Sequence, residues 1–185
     1  MRFVVVGAGP AGCAFAAAVA PDHDVVIVEA GDRHGPDPGI LRPLPTADDR
    51  ITRIPVTRSS ATGRATEAGG PPDPAAGDQY ICGRGVGGGS LVNGGFVVGE
   101  PPSGVVGLLP FERPGPIGPM AAALLASHAG ATVGSLVAVS GRRVDLAAHL
   151  LEPHDSIELI TGRPVARIVV EGGRAVGVQT EDGAH

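Results

Sequence analysis

An α/β fold built around a parallel sheet is expected from this sequence, on three observations. A nearly continuous β-branched run, Arg2-Phe3-Val4-Val5-Val6, leads into the glycine-spaced turn Gly7-Ala8-Gly9-Pro10-Ala11-Gly12. An alanine-rich stretch from Cys13 to Ala20 stops at Pro21, and a second apolar run, Val25-Val26-Ile27-Val28, closes on the acid Glu29. Near the far end, three short β-rich runs surround the turn Glu171-Gly172-Gly173-Arg174. Apolar runs without alternation suit strands covered on both faces, as in parallel sheets.

Each element follows from its residues. The first run is expected to be a central strand with both faces covered, and Cys13 to Ala20 a helix ended by proline. Gly7 permits a tight turn out of the strand. Gly9 has no side chain, so a pyrophosphate can approach the backbone there. Gly12 lets the helix pack closely on the strand. The helix start offers free N–H groups and partial positive charge to phosphates, and Pro10 and Ala11 adjoin it as cofactor-binding candidates. Glu29 stands 22 positions after Gly7, with Ala30 beside it, where a carboxylate can accept hydrogen bonds from a ribose diol. An acid there also repels a 2′-phosphate, which disfavours NADP. Together these parts predict a Rossmann-like dinucleotide-binding βαβ unit. They leave NAD and FAD both open.

Composition narrows the class. With 185 residues the chain can bury one real core, and 3% aromatic residues make that core depend on Ala, Val, Leu and Ile. Thirty glycines and 18 prolines imply much loop or close backbone approach. A net charge of −5 without a basic stripe argues against nucleic acid. Cys13 and Cys82 form neither a disulfide framework nor a metal-ligand spacing; both are expected as small buried residues, and a cytoplasmic location is expected. The glycines at 7, 9 and 12 interrupt what would otherwise pass for a secretory signal. The stretch from Pro114 to Gly141 is long and nearly uncharged. Its Ala, Gly, Ser, Thr and Pro content argues for packing against protein rather than a bilayer span. From Pro36 to Gly77 the chain reads as loop without periodicity.

A second glycine cluster runs Gly83-Arg84-Gly85-Val86-Gly87-Gly88-Gly89-Ser90-Leu91-Val92-Asn93-Gly94-Gly95. It lacks the Lys-Ser/Thr pair of a P-loop, and its ordered Arg, Val, Leu and Asn are not linker composition. This segment resembles the first signature of the glucose–methanol–choline (GMC) oxidoreductases. There Gly-Arg, one residue, Leu-Gly-Gly, two serines, two residues and Asn line a flavin. Gly83, Arg84, Val86, Gly87, Gly88, Ser90 and Asn93 fall in register with it. Val86 replaces the leucine, Gly89 replaces the first serine, and Val98-Gly99 stands where Arg-Gly is usual. Leu91 to Phe96 also resembles the actinobacterial branch associated with mycofactocin, and the Arg-, Ala-, Gly- and Pro-rich composition agrees with a GC-rich genome.

At the far end, Ile157–Ile160, Val165–Val170 and Ala175–Thr180 read as strands joined by antiparallel turns. They resemble the meander of GMC proteins. That resemblance places Val165 where a valine's backbone meets the adenine; a hairpin without that role is the alternative. The chain divides on this reading into 1–100, an FAD-binding unit with its flavin-contacting glycine loop; 101–145, a shortened connecting segment; and 146–185, a returning meander. The cofactor-binding residues implied are Gly7, Gly9, Pro10, Ala11, Gly12, Glu29, Ala30, Arg84, Gly87, Gly88, Ser90, Asn93, Gly94 and Val165.

The resemblance implies FAD as cofactor, an alcohol as substrate and an electron acceptor. In the family a flavin takes hydride from the carbinol carbon while a histidine near the C-terminus accepts the hydroxyl proton. That histidine, its His or Asn partner and the substrate domain have no counterpart in this sequence. The expectation is therefore a truncated chain, inactive alone, that needs a complementing chain. The alternative is a non-catalytic module that binds FAD or NAD, or a gene relic. His23, His34, His128, His149 and His154 lack a surrounding motif and are read as surface or packing residues, so no catalytic residue is nominated.

Overall fold

A computed structural model describes residues 1–34, 51–55, 79–92, 95–97, 107–113 and 115–184. The expected βαβ unit opens the chain. Strand β1 (Arg2–Val6) runs through the glycine turn into helix α1 (Pro10–Val19), and β2 (Asp24–Val28) pairs with β1 in parallel, Val4 opposite Val26 and Val6 opposite Val28. Helix α1 starts three residues earlier than its alanine run suggests, because Pro10 takes the first helical position, where a missing N–H costs nothing.

Later elements complete the layers. Strands β3 (Ile51–Pro55) and β4 (Gln79–Gly83) pair antiparallel. A 3₁₀ turn (Gly88–Leu91) follows, then β5 (Phe96–Val97), β6 (Phe111–Glu112), helix α2 (Pro119–Ser127), β7 (Ser135–Val139) and β8 (Arg142–Arg143). Strand β7 lies between β5 and β6 and also pairs with β8. Helix α3 (Leu146–Leu151) leads to β9 (Ile157–Ile160), and β10 (Val165–Glu171), β11 (Arg174–Thr180) and β12 (Gly183–Ala184) form an antiparallel sheet. The β10–β11 turn falls on Gly172-Gly173, both at positive φ, as a two-residue hairpin requires.

Three layers bury the core. On one face of the parallel sheet, Val25 and Ile27 pack with Cys13, Ala16 and Ala17 of α1 and with Leu146, Leu150 and Leu151 of α3. On the other face, Val26 and Val28 lie under Val178 and Val165 of the meander. Fully burying each such Val, Ile or Leu contributes about 1.5–3 kcal/mol. Helix α3 has only six residues and depends on its cap: the Asp145 carboxylate accepts from the Ala148 N–H at 3.0 Å. Asp145→Ala is expected to cost about 1 kcal/mol and lower Tm by about 2–4 °C, read by thermal circular dichroism.

Five sequence expectations change. Strand order is β1-β2-β9, so β2 is the middle strand and β1 lies at the edge of this sheet. Val4 (37% exposed) and Val6 (53%) share a face with Val26 and Val28, yet the meander covers only the latter pair. Ile157–Ile160, read with the two strands after it, instead joins β2 in parallel, because its apolar side chains bury against both layers. Ile51–Pro55 is a strand inside a segment read as loop; it is only five residues long, and its partner lies far along the chain. Most of that segment (35–50 and 56–78) falls outside the described residues. Helix α2, within the stretch expected to pack, has no buried residue: Met120 is 86% exposed and Leu124 55%, since its many alanines offer little surface to bury. Cys13 is buried as expected, but Cys82 is half-buried. Among the described residues, no helix is long and apolar enough to cross a membrane.

Candidate dinucleotide site

The site lies at the carboxyl ends of β1 and β2, where open parallel sheets bind ligands. Gly7 leaves β1 at φ +93°, and its N–H still donates to the Val28 carbonyl at 2.8 Å. A side chain at Gly12 would put its Cβ 2.1 Å from the Gly7 carbonyl oxygen. Gly12 is therefore demanded by the protein's own packing. Gly9 is not: a Cβ there meets nothing within 4 Å, and its φ is −72°. The open space above Gly9, at the start of α1, is a cradle that a pyrophosphate fits.

Glu29 ties this loop together. Its carboxylate, in a residue only 8% exposed, accepts from the Ala8 N–H at 2.7 Å and the Gly31 N–H at 2.9 Å. Each carboxylate oxygen has a second lone-pair site, so these bonds leave acceptor capacity for a ribose diol. Ala8 is completely buried. Its carbonyl accepts from the Gly87 N–H at 2.7 Å and from the Cys13 thiol at 3.2 Å. Burial, then the Glu29 and Asp145 carboxylates, push that thiol up to about 11, so Cys13 packs as a neutral group.

The Gly87–Ala8 bond brings the second glycine cluster onto the first. A Cβ on Gly88 would lie 3.0 Å from the Gly9 Cα, and one on Gly83 would lie 2.1 Å from the Gly88 carbonyl oxygen. Ser90 closes the turn, with its Oγ donating to the Gly87 carbonyl at 2.7 Å. Arg84 is exposed, and its Cγ would lie 3.0 Å from a Cβ on Gly31, on the Glu29 side of the loop. Ala30 is exposed next to Glu29, and Pro10 and Ala11 are exposed on the first turn of α1. Val165 is half-buried on Val26 and Val28; just before it, the Arg163 N–H donates to the Glu29 carbonyl at 2.9 Å and the Gly162 N–H to the Gly31 carbonyl at 3.1 Å. Asn93, Gly94 and Val98-Gly99 fall outside the described residues.

Of the histidines, one is placed near the loops. His23 packs against Phe3 with its ring tilted by 56°, ring centroids 5.2 Å apart, at the opposite end of the sheet. His128 contacts Ser127, and the His149 ring bonds the Leu108 carbonyl. His34 lies against Gly85. No group of three or more metal-ligating side chains occurs among the described residues.

Arg143, which the sequence reading does not nominate, reaches the second glycine cluster. Its Nη2 donates to the Ser90 carbonyl, and its side chain lines a cavity of about 190 Å³ with Pro10, Ser90, Gly95 and Val137. The signal available was slight, an arginine following a Ser-Gly turn.

Fold and loop geometry define the class: an α/β protein of the Rossmann-like type. Residues 5–37 match the family of NAD(P)-binding Rossmann-like domains. The whole chain shares the fold of several solved oxidases. These include pyridoxine 4-oxidase from Mesorbium loti (TM-score 0.72, 21% identity, 100% of this chain and 47% of that one) and a fungal aryl-alcohol oxidase (0.64, 17%, 99% and 43%). A third is formate oxidase from Aspergillus oryzae, a protein studied for its FAD modification (0.57, 15%, 98% and 42%). At these identities the likeness is one of fold, and the chain spans a little under half the length of each enzyme. No curated protein sequence matches the chain.

Proposed function

We propose that this chain is the FAD-binding part of a GMC-type oxidoreductase acting on CH–OH groups. The observation that carries this reading is the Gly87–Ala8 hydrogen bond, which layers one glycine cluster on the other. A βαβ unit needs only the first cluster for a pyrophosphate. The second extends the same backbone-lined surface beyond it. Fold likeness to formate oxidase, studied for its FAD modification, supports FAD over NAD, and likeness to pyridoxine 4-oxidase and aryl-alcohol oxidase supports an alcohol-type substrate.

Each residue then has a task. Glu29 holds the ribose diol with Arg84 beside it, Gly9 with Pro10 and Ala11 receives the pyrophosphate, and Gly87, Gly88 and Ser90 line the flavin side; the resemblance adds Asn93 and Gly94 as cofactor-binding residues. Val165, Ala30 and the Gly162–Arg163 backbone border the adenosine end. Bound flavin supplies hydride-accepting chemistry. On this reading residues 1–100 and 146–185 form the cofactor-binding part and 101–145 connect them, in a cytoplasmic protein.

A visible spectrum of the purified chain tests the proposal. Flavin absorbance, with FAD released on denaturation, is the expected result. A colourless protein that added FAD neither binds nor stabilises would overturn it.

A further inference from the structure

Glu29 is held through its backbone as well as through its side chain. Its N–H donates to the Ile160 carbonyl at 2.8 Å, where the β2–β9 pairing ends. Beyond β9 the chain turns at Gly162, which stands at φ +67°. The turn aims two successive N–H groups at the acid's own loop. Arg163 donates to the Glu29 carbonyl at 2.9 Å, and Gly162 donates to the Gly31 carbonyl at 3.1 Å. Gly31 is the residue whose N–H holds the Glu29 Oε1 at 2.9 Å. A single residue therefore links the turn to the carboxylate. Pro164 restricts Arg163 to extended backbone, and the Arg163 side chain pairs with Asp182 in the β11–β12 turn. Within this turn only Gly162 occupies the left-handed region. A Cβ there would lie 3.4 Å from the Asp32 Oδ1, in ordinary contact, so glycine relieves strain in φ rather than crowding.

We infer that Gly162 is a positioning residue for the ribose-binding acid, an assignment that rests on the role proposed for Glu29 above. A carboxylate fixed in advance binds a diol more tightly, because less freedom is lost when the ligand arrives. The turn between β9 and β10 supplies that fixing from a segment distant in sequence. The meander thus does more than cover Val26 and Val28: the turn that leads into it sets the acid for the adenosine half of the cofactor.

Binding of FAD and of ADP to the full chain, in a double-mutant cycle with Glu29, tests this. Gly162→Val puts a β-branched residue where positive φ is an outlier, so the turn should leave the Glu29 loop. Both ligands carry the adenosine half, so both should weaken by the same factor, about ten-fold. Gly162→Asn, whose side chain tolerates this region, should stay near wild-type affinity. In a Glu29→Ala chain, Gly162→Val should weaken binding by less than about two-fold more, because the acid it positions is gone. Wild-type affinity in Gly162→Val would overturn the inference. So would an equal loss with and without Glu29, which would make the glycine structural only. Equal losses in Gly162→Asn and Gly162→Val would overturn it too. If Gly162→Val or Glu29→Ala fails to fold by circular dichroism, Gly162→Ala and Glu29→Gln complete the same cycle under the same criteria. A wild-type chain that binds ADP and no FAD would sink the flavin reading and leave this inference to the ADP cycle. One that binds neither would sink both.

Discussion

Gly12→Ala is expected to lose both FAD binding and stability, whereas Gly9→Ala loses FAD binding alone. Both changes add one methyl to the same turn. At Gly12 the new Cβ would lie 2.1 Å from the Gly7 carbonyl oxygen and 3.4 Å from a Val5 methyl. Ordinary contact begins near 3.4 Å, so the turn or helix must move by about 1 Å, at a cost of about 3 kcal/mol. That shift would pull the Gly7 N–H away from Val28 and the α1 start away from the phosphates. At Gly9 the Cβ meets nothing and φ is already ordinary, so stability should change by less than about 1 kcal/mol. The methyl would instead occupy the space assigned to the pyrophosphate. Gly130→Ala, whose Cβ also meets nothing and which lies in an exposed turn after α2, serves as the neutral control. Denaturant melts and FAD titrations of the three variants separate the roles. A Gly12→Ala chain as stable as wild type would refute the packing argument. A Gly9→Ala chain with wild-type affinity would refute the pyrophosphate assignment.

Glu29→Ala should lower the stability of the ligand-free protein as well as its FAD affinity. The carboxylate accepts from two buried N–H groups, those of Ala8 and Gly31. Stranding a buried donor costs about 1–3 kcal/mol, so losing both acceptors should cost about 2–5 kcal/mol. Glu29→Gln keeps one carbonyl oxygen but turns an NH₂ toward a donor, and should fall between. Both carboxylate oxygens are already engaged by backbone, so the residue shapes the loop before any ribose arrives. A Glu29→Ala melt unchanged from wild type would remove that role. A lowered melt with unchanged FAD affinity would keep it and refute the ribose assignment.

Much of the βαβ unit was legible because its determinants are local. Proline at the α1 start, glycine at the turn and a β-branched run act over a few residues, and the acid at position 29 follows in the next strand. The β10–β11 hairpin was legible for the same reason, since Gly172-Gly173 alone selects its turn. The resemblance of the second glycine cluster to a flavin-lining signature likewise agreed with the fold of the whole chain. Longer-range pairings escaped. Ile157–Ile160 carries the composition of any short strand, and only burial between the helices and the meander shows that it extends the parallel sheet. Strand β1 has the composition of a covered strand, yet Val4 and Val6 are left exposed because the meander stops over Val26 and Val28.

What the amino-acid order determines by itself is therefore the dinucleotide loop, its strand and helix, and the acid at the end of β2. Backbone sterics and capping operate between neighbours, and need no knowledge of the rest. Tertiary structure alone decides that Gly87 hydrogen-bonds Ala8 across 79 positions, that β1 is an edge, and that Arg143 faces Pro10. Those contacts join segments distant in sequence. They form because burying Ala8, Val86 and Leu91 together removes apolar surface from water, a driving force that has no sequence spacing.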